Sequence, residues 1–302
     1  MSDDSSRRRF LQLTSSAALV GLAGCSGASG EDDSMEDDSM VTDTMTEEDM
    51  DDESMENESM DDESTDEEMM DASPTTFTVR IANVAPTDFY ASDGSTGGQI
   101  WITAGAYAVH SETNPVFTAE ESASLGLEAL AEAGPPTGFE MEDGLVTELQ
   151  NTDSVAHAGA YTPEDTVEDP NDPTGEVPGA PPIAPDGAFE FEIEAEPGQR
   201  LALASMFVPS NDVFFAPGES SIPLFDMDDA PVEGDVTESI ALWDAGTELN
   251  QQPGLGPDQA PAQDSPDQGA DEDGVVRRLA DVDDGYDYPD ASDALELTLT
   301  PQ

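Results

Sequence analysis

The sequence predicts a mainly β domain, an antiparallel β-sandwich with one short helix and long loops, set behind an acidic, disordered N-terminal linker. Three observations carry that expectation. Apolar residues alternate with period two in four segments after residue 75, one segment has helical spacing with cap residues, and the stretch ahead of the domain is acidic, repetitive and without apolar period. The resulting divisions are residues 1–25 for an export signal, 26–75 for the tether and 76–302 for the sandwich.

The first division opens with Ser6-Arg7-Arg8-Arg9-Phe10-Leu11-Gln12, which resembles the twin-arginine export signal, with Arg7 and Arg8 as the paired arginines. The apolar stretch Leu13 to Ala23 that follows is shorter than the roughly 20 residues of a spanning helix, but it suits the h-region of a signal peptide. It ends in Leu22-Ala23-Gly24-Cys25, which resembles a lipobox, where the cysteine is lipidated and becomes the first mature residue. Export and attachment to the outer face of the cell membrane through Cys25 are therefore expected. Cys25 is the single cysteine of the chain. With it committed to the anchor, the mature domain has no thiol for a disulfide, a zinc-thiolate site or a cysteine nucleophile.

Residues from about Gly30 to Ser73 are almost entirely Asp, Glu, Ser, Thr and Met. Met35, Met40, Met45, Met50, Met55 and Met60 recur every five residues, a step of about 140° on a helix, so they share no face. Thioethers suit Cu(I), but the intervening carboxylates attract hard cations, and a self-repelling solvated tether accounts for the composition.

In the third division, Thr76 to Val84, Phe189 to Ile193, Arg200 to Met206 and Leu295 to Leu299 alternate as half-buried strands do. Pro197-Gly198 is a turn signal between the second and third, which predicts that these two are antiparallel neighbours. The last strand is placed to close a sheet with the first. One helix is expected after a capping box formed by Thr118 and Glu121, with Leu125, Leu127 and Leu130 on it and Gly134-Pro135 stopping it. Pro163 to Pro185 and Gln251 to Gly274 read as exposed loops. Trp101 and Trp243 read as core anchors.

Charge narrows the function. The 70 Asp and Glu against 7 Arg give a formal charge of −63, a self-repulsion that concentrated salt screens, so a halophilic setting is inferred. After Arg9 the bases are Arg80, Arg200, Arg277 and Arg278, too few for a phosphate backbone, and nucleic acid is excluded as a partner. Cations are the natural counterpart.

Phe77 to Val84, His110, Phe117, Ser124 to Gly134, Met206-Phe207-Val208-Pro209-Ser210-Asn211-Asp212 and Leu242-Trp243-Asp244-Ala245-Gly246-Thr247-Glu248-Leu249-Asn250, in that order, resemble the spondin N-terminal domain over about residues 76–300. With the export signal, the whole resembles a haloarchaeal-type lipoprotein. The resemblance implies a C2-like sandwich of extracellular adhesion proteins with a loop-bound divalent cation, usually calcium, and it implies Asp212, Asp244 and Glu248 as ligands. An aspartate is common in the family where Glu248 stands, so the longer side chain shifts the coordination. Calcium takes 6–8 oxygen ligands from flexible loops, and these carboxylates converge if the strands leading to them lie side by side.

The expected function is a surface adhesion or ligand-binding module for an extracellular protein or glycan, and not an enzyme. Two other classes compete. A secreted hydrolase needs a nucleophile–base pair or two facing carboxyls, and neither Ser205 nor Ser210 has the Gly-x-Ser-x-Gly setting. A solute-binding lipoprotein needs two α/β lobes, and the repeated βα pattern is missing. His110 and His157 stand alone, as packing or surface histidines do.

Overall fold

The computed structural model describes residues 73–139, 143–170 and 182–302. The export signal with Arg7 and Arg8, the lipobox Cys25 and the tether up to residue 72 lie outside the described residues. In chain order the strands are β1 (Thr75–Asn83), β2 (Ile102–His110), β3 (Val155–Tyr161), β4 (Thr166–Glu168), β5 (Ala188–Ala195), β6 (Arg200–Phe207), β7 (Val213–Pro217), β8 (Ile222–Pro223), β9 (Gly234–Asp235), β10 (Ile240–Asp244), β11 (Arg277–Arg278) and β12 (Leu295–Pro301). Helices α1 (Leu125–Ala133) and α2 (Leu145–Gln150) stand between β2 and β3.

The strands form two antiparallel sheets, ordered β4-β5-β1-β12-β9 and β11-β10-β7-β6-β2-β3, with β8 added to β6. The first sheet is amphipathic. On β5, Phe189, Phe191 and Ile193 point inward while Glu190, Glu192 and Glu194 are exposed, the alternation expected of a sheet with one wet face. β1 and β12 pair as anticipated, from Phe77 opposite Pro301 to Asn83 opposite Leu295. Their inward residues meet Leu201, Leu203, Phe207, Phe215 and Leu242 of the second sheet in one core. Each such fully buried Leu or Phe contributes about 1.5–3 kcal/mol.

The second sheet is covered on both faces. Its other face presents Ala106, Ala108, Ala202 and Ala204, small enough for Leu127, Leu130 and Leu149 of the helices to settle on them, with Phe117, Phe214 and Trp243 beside them. This layering corrects one expectation. Pro197-Gly198 does not close a hairpin within one sheet, because β5 lies in the first sheet and β6 in the second. The physical reason is in the residues: β5 carries glutamates on one face, whereas β6 is apolar on both and belongs in the doubly covered sheet.

The helix start is also corrected. Ser124, not Thr118, is the N-cap of α1; its Oγ accepts from the Leu127 N–H at 3.2 Å, and Gly134 ends the helix in the left-handed conformation. A second helix, α2, which the sequence reading does not anticipate, holds α1 in place. The Glu148 carboxylate accepts from the Ser124 hydroxyl at 2.5 Å and from the Gly126 N–H at 2.8 Å. Trp243 is buried and donates its Nε1–H to the Ala216 carbonyl, whereas Trp101 is half-buried and bonds Gln99. The 251–274 segment is not simply exposed: Gln251 and Asp258 bond each other twice, and Gln259 is fully buried.

Candidate metal centre

Asp212 closes the turn between β6 and β7. Ser210 makes that turn rigid, donating its hydroxyl to the Phe207 carbonyl at 2.6 Å and accepting from the Val213 N–H at 3.1 Å. Asn211 ties it to the next loop, donating to Glu248 Oε2 at 3.2 Å and to the Leu249 carbonyl at 3.1 Å. Asp244 ends β10, the neighbour of β7, in register with Val213. The expected convergence of Asp212 and Asp244 therefore follows from sheet pairing.

Beyond Asp244 the chain must reverse within a residue. Gly246 does so at φ +69°, and a Cβ there would lie 2.6 Å from the Val275 backbone nitrogen. The reversed chain delivers two N–H groups, of Thr247 and Glu248, to Asp212 Oδ2 at 3.2 Å each. Asp244 Oδ2 accepts from the Asn250 amide at 2.5 Å. On the other side of β10 stands β11, with Arg277 opposite Asp244. Its Nη2 is 3.4 Å from Asp244 Oδ1 and 2.6 Å from Glu272 Oε1.

Oxygens of Asp212, Asp244 and Glu272 lie within 4.8 Å of one another. Asp212 and Asp244 are both 0% exposed. Four oxygens of this neighbourhood are buried and accept no hydrogen bond: Asp212 Oδ1, Asp244 Oδ1, Glu272 Oε2 and Asn250 Oδ1. Buried acceptors left in this state are costly, and buried carboxylates more so. The charge balance is unfavourable too. Burial, and then the Asp244 charge, push the Asp212 carboxyl well above its ordinary range, against the two N–H groups that hold it down. Burial also raises Asp244, opposed by Asn250 and by the Arg277 guanidinium.

These residues fit a hard divalent cation. The donors are all oxygen, and an ion with bonds of about 2.3–2.6 Å spans ligand oxygens up to about 5 Å apart. Asp212, Asp244 and Glu272 supply the charge, with the Asn250 carbonyl close by. The centre borders a surface cleft of about 470 Å³ lined by Asn250, Glu272, Arg277, Asp284, Tyr286 and Leu249.

Glu248 is 2% exposed but stands apart from this group. Its carboxylate accepts from Asn211 and, at 2.7 Å, from the Gly269 N–H, so it clamps the loop. Glu272 takes the third place. No periodic or turn signal marks it within Asp271-Glu272-Asp273. A second acidic group joins Glu128 and Glu132 of α1 with Asp267. There burial, and then neighbouring carboxylates, push Glu132 up to about 8. His110 is buried and pushed down to about 4, first by burial and then by Arg200; His157 is exposed.

Among the described residues no helix is long and apolar enough to cross a membrane. No family model matches the chain, and no curated protein matches it.

Proposed function

We propose that this protein is an exported, lipid-anchored surface module whose loop-bound divalent cation orders a binding end for an extracellular protein or glycan. Calcium is the cation that the donor set favours. The observation that carries the reading is the pair of fully buried, hydrogen-bond-free oxygens on Asp212 and Asp244, next to Glu272. An ion there would neutralise the charges that burial penalises and fill acceptor positions that the protein leaves open.

The resemblance to the spondin N-terminal domain supports the same reading, as do the two antiparallel sheets and the convergence of two of the three residues it implies. The twin-arginine pattern and the lipobox Cys25 support a location outside the membrane, and the acidic tether would hold the domain away from the lipid surface. A cation bound by the folded state alone stabilises it by about 2.7 kcal/mol at a hundredfold excess over Kd. The test is thermal melting in concentrated monovalent salt, with calcium or with chelator. The proposal requires a higher melting temperature in calcium for the wild type and no difference for Asp244→Ala; equal melting of the wild type in both media contradicts it.

A further inference from the structure

The group around Asp212 contains a positive charge that the chain itself supplies. Arg277 Nη2 lies between two of the three carboxylates, 2.6 Å from Glu272 and 3.4 Å from Asp244. Its β11 position opposite Asp244 comes from backbone pairing, so its approach is built into the sheet. The next residue, Arg278, is used differently: its guanidinium lies over the Trp243 ring at 5.2 Å. Two adjacent arginines in so acidic a chain thus have separate roles.

Resting on the cation centre proposed above, we infer that Arg277 is the affinity- and charge-selecting residue of that centre: its guanidinium and a divalent cation compete for Asp244 and Glu272. A cation bonded to Asp244 Oδ1 and to Glu272 comes within a few ångströms of the guanidinium, where like charges repel strongly at the low effective dielectric of a half-buried site. Three carboxylates less one guanidinium leave two negative charges, a match for a divalent ion. Without Arg277 there are three, which favours tighter divalent binding and a relative gain for trivalent ions. The guanidinium has a way out, because Arg277 is 31% exposed on its side chain and lines the cleft beside the centre. In the absence of a cation it serves as the counter-charge that limits repulsion between Asp244 and Glu272.

The alternative role is positioning, in which Arg277 holds Glu272 ready for the ion. The two roles predict opposite signs. Calorimetric titration of the full chain with calcium and with terbium, in concentrated monovalent salt, separates them. Arg277→Gln is expected to bind calcium about tenfold more tightly or better, with a larger gain for terbium, and to melt at a lower temperature in chelator; Arg277→Lys should stay within about threefold of wild type for calcium. Equal or weaker calcium binding by Arg277→Gln overturns the inference while leaving the cation centre intact. Absence of calcium binding in both the wild type and Arg277→Gln removes the centre itself. A measurement on the wild type needs no variant to fold: phenylglyoxal should label Arg277 faster in calcium than in chelator, read by peptide mass spectrometry, and equal or slower labelling counts against displacement.

Discussion

Asp212 and Asp244 come together because Asp244 is the last residue of β10 and pairs with Val213, the first residue of β7, directly after Asp212. Two fully buried carboxylates are thus fixed side by side by backbone hydrogen bonding, whatever their charges prefer. Their repulsion is a cost to the cation-free fold. Asp212→Asn should relieve it, raising stability in chelator by roughly 1–2 kcal/mol while reducing or abolishing the calcium-induced rise. Melting curves of the variant in both media check this, and a variant less stable than wild type in chelator counts against a strained carboxylate pair.

Glu132 sets a pH dependence of known sign. Its folded pKa, about 8, lies above that of an ordinary glutamate, so the folded state holds the extra proton. The stability it contributes is fully present below about pH 4.5 and is lost as pH rises through 8. Glu132→Gln should flatten the fall in melting temperature between pH 5 and 8 in chelator. His110 acts oppositely: with its pKa lowered to about 4, its contribution is present above about pH 6.5 and is lost as pH falls toward 4. Calcium should tilt the Asp212 and Asp244 response the other way, since binding requires their ionised forms.

Gly246→Ala joins the loop geometry to the centre. A Cβ at φ +69° with the Val275 nitrogen 2.6 Å away forces the loop to shift, destabilising the fold by more than about 1 kcal/mol and weakening calcium binding. Ser124→Ala is the matched control. Losing the N-cap of α1 costs about 1 kcal/mol and should leave calcium affinity unchanged. Parallel calorimetry on the two variants decides whether the effect at Gly246 is local.

Much of the architecture is legible in the residues, and the gaps have a common cause. β1, β5 and β12 show period two because the first sheet has one wet face. β7, with Val213, Phe214, Phe215, Ala216 and Pro217 all buried, shows none, since both its faces are covered. α2 has six residues and a glycine N-cap without a side-chain bond, too little for a sequence signal. At the centre, Asp212 and Asp244 stand out through their turn and strand contexts. Glu272 does not, because nothing in an acid-rich run distinguishes a converging carboxylate from a solvated one until β11 pairs with β10.

The proposed surface location makes its own prediction. Intact mass spectrometry of the membrane fraction should find the mature chain beginning at Cys25 and carrying lipid, and Cys25→Ala should release the protein from the membrane. Unprocessed chain in the cytosol contradicts the location and the adhesion role built on it.

The most direct test of the central claim is a crystal structure of the folded domain grown in calcium, with anomalous scattering used to place the ion. The account predicts a peak within about 2.3–2.6 Å of oxygens from Asp212, Asp244 and Glu272. No peak there at saturating calcium, with Arg277 still bonded to both Asp244 and Glu272, would contradict it.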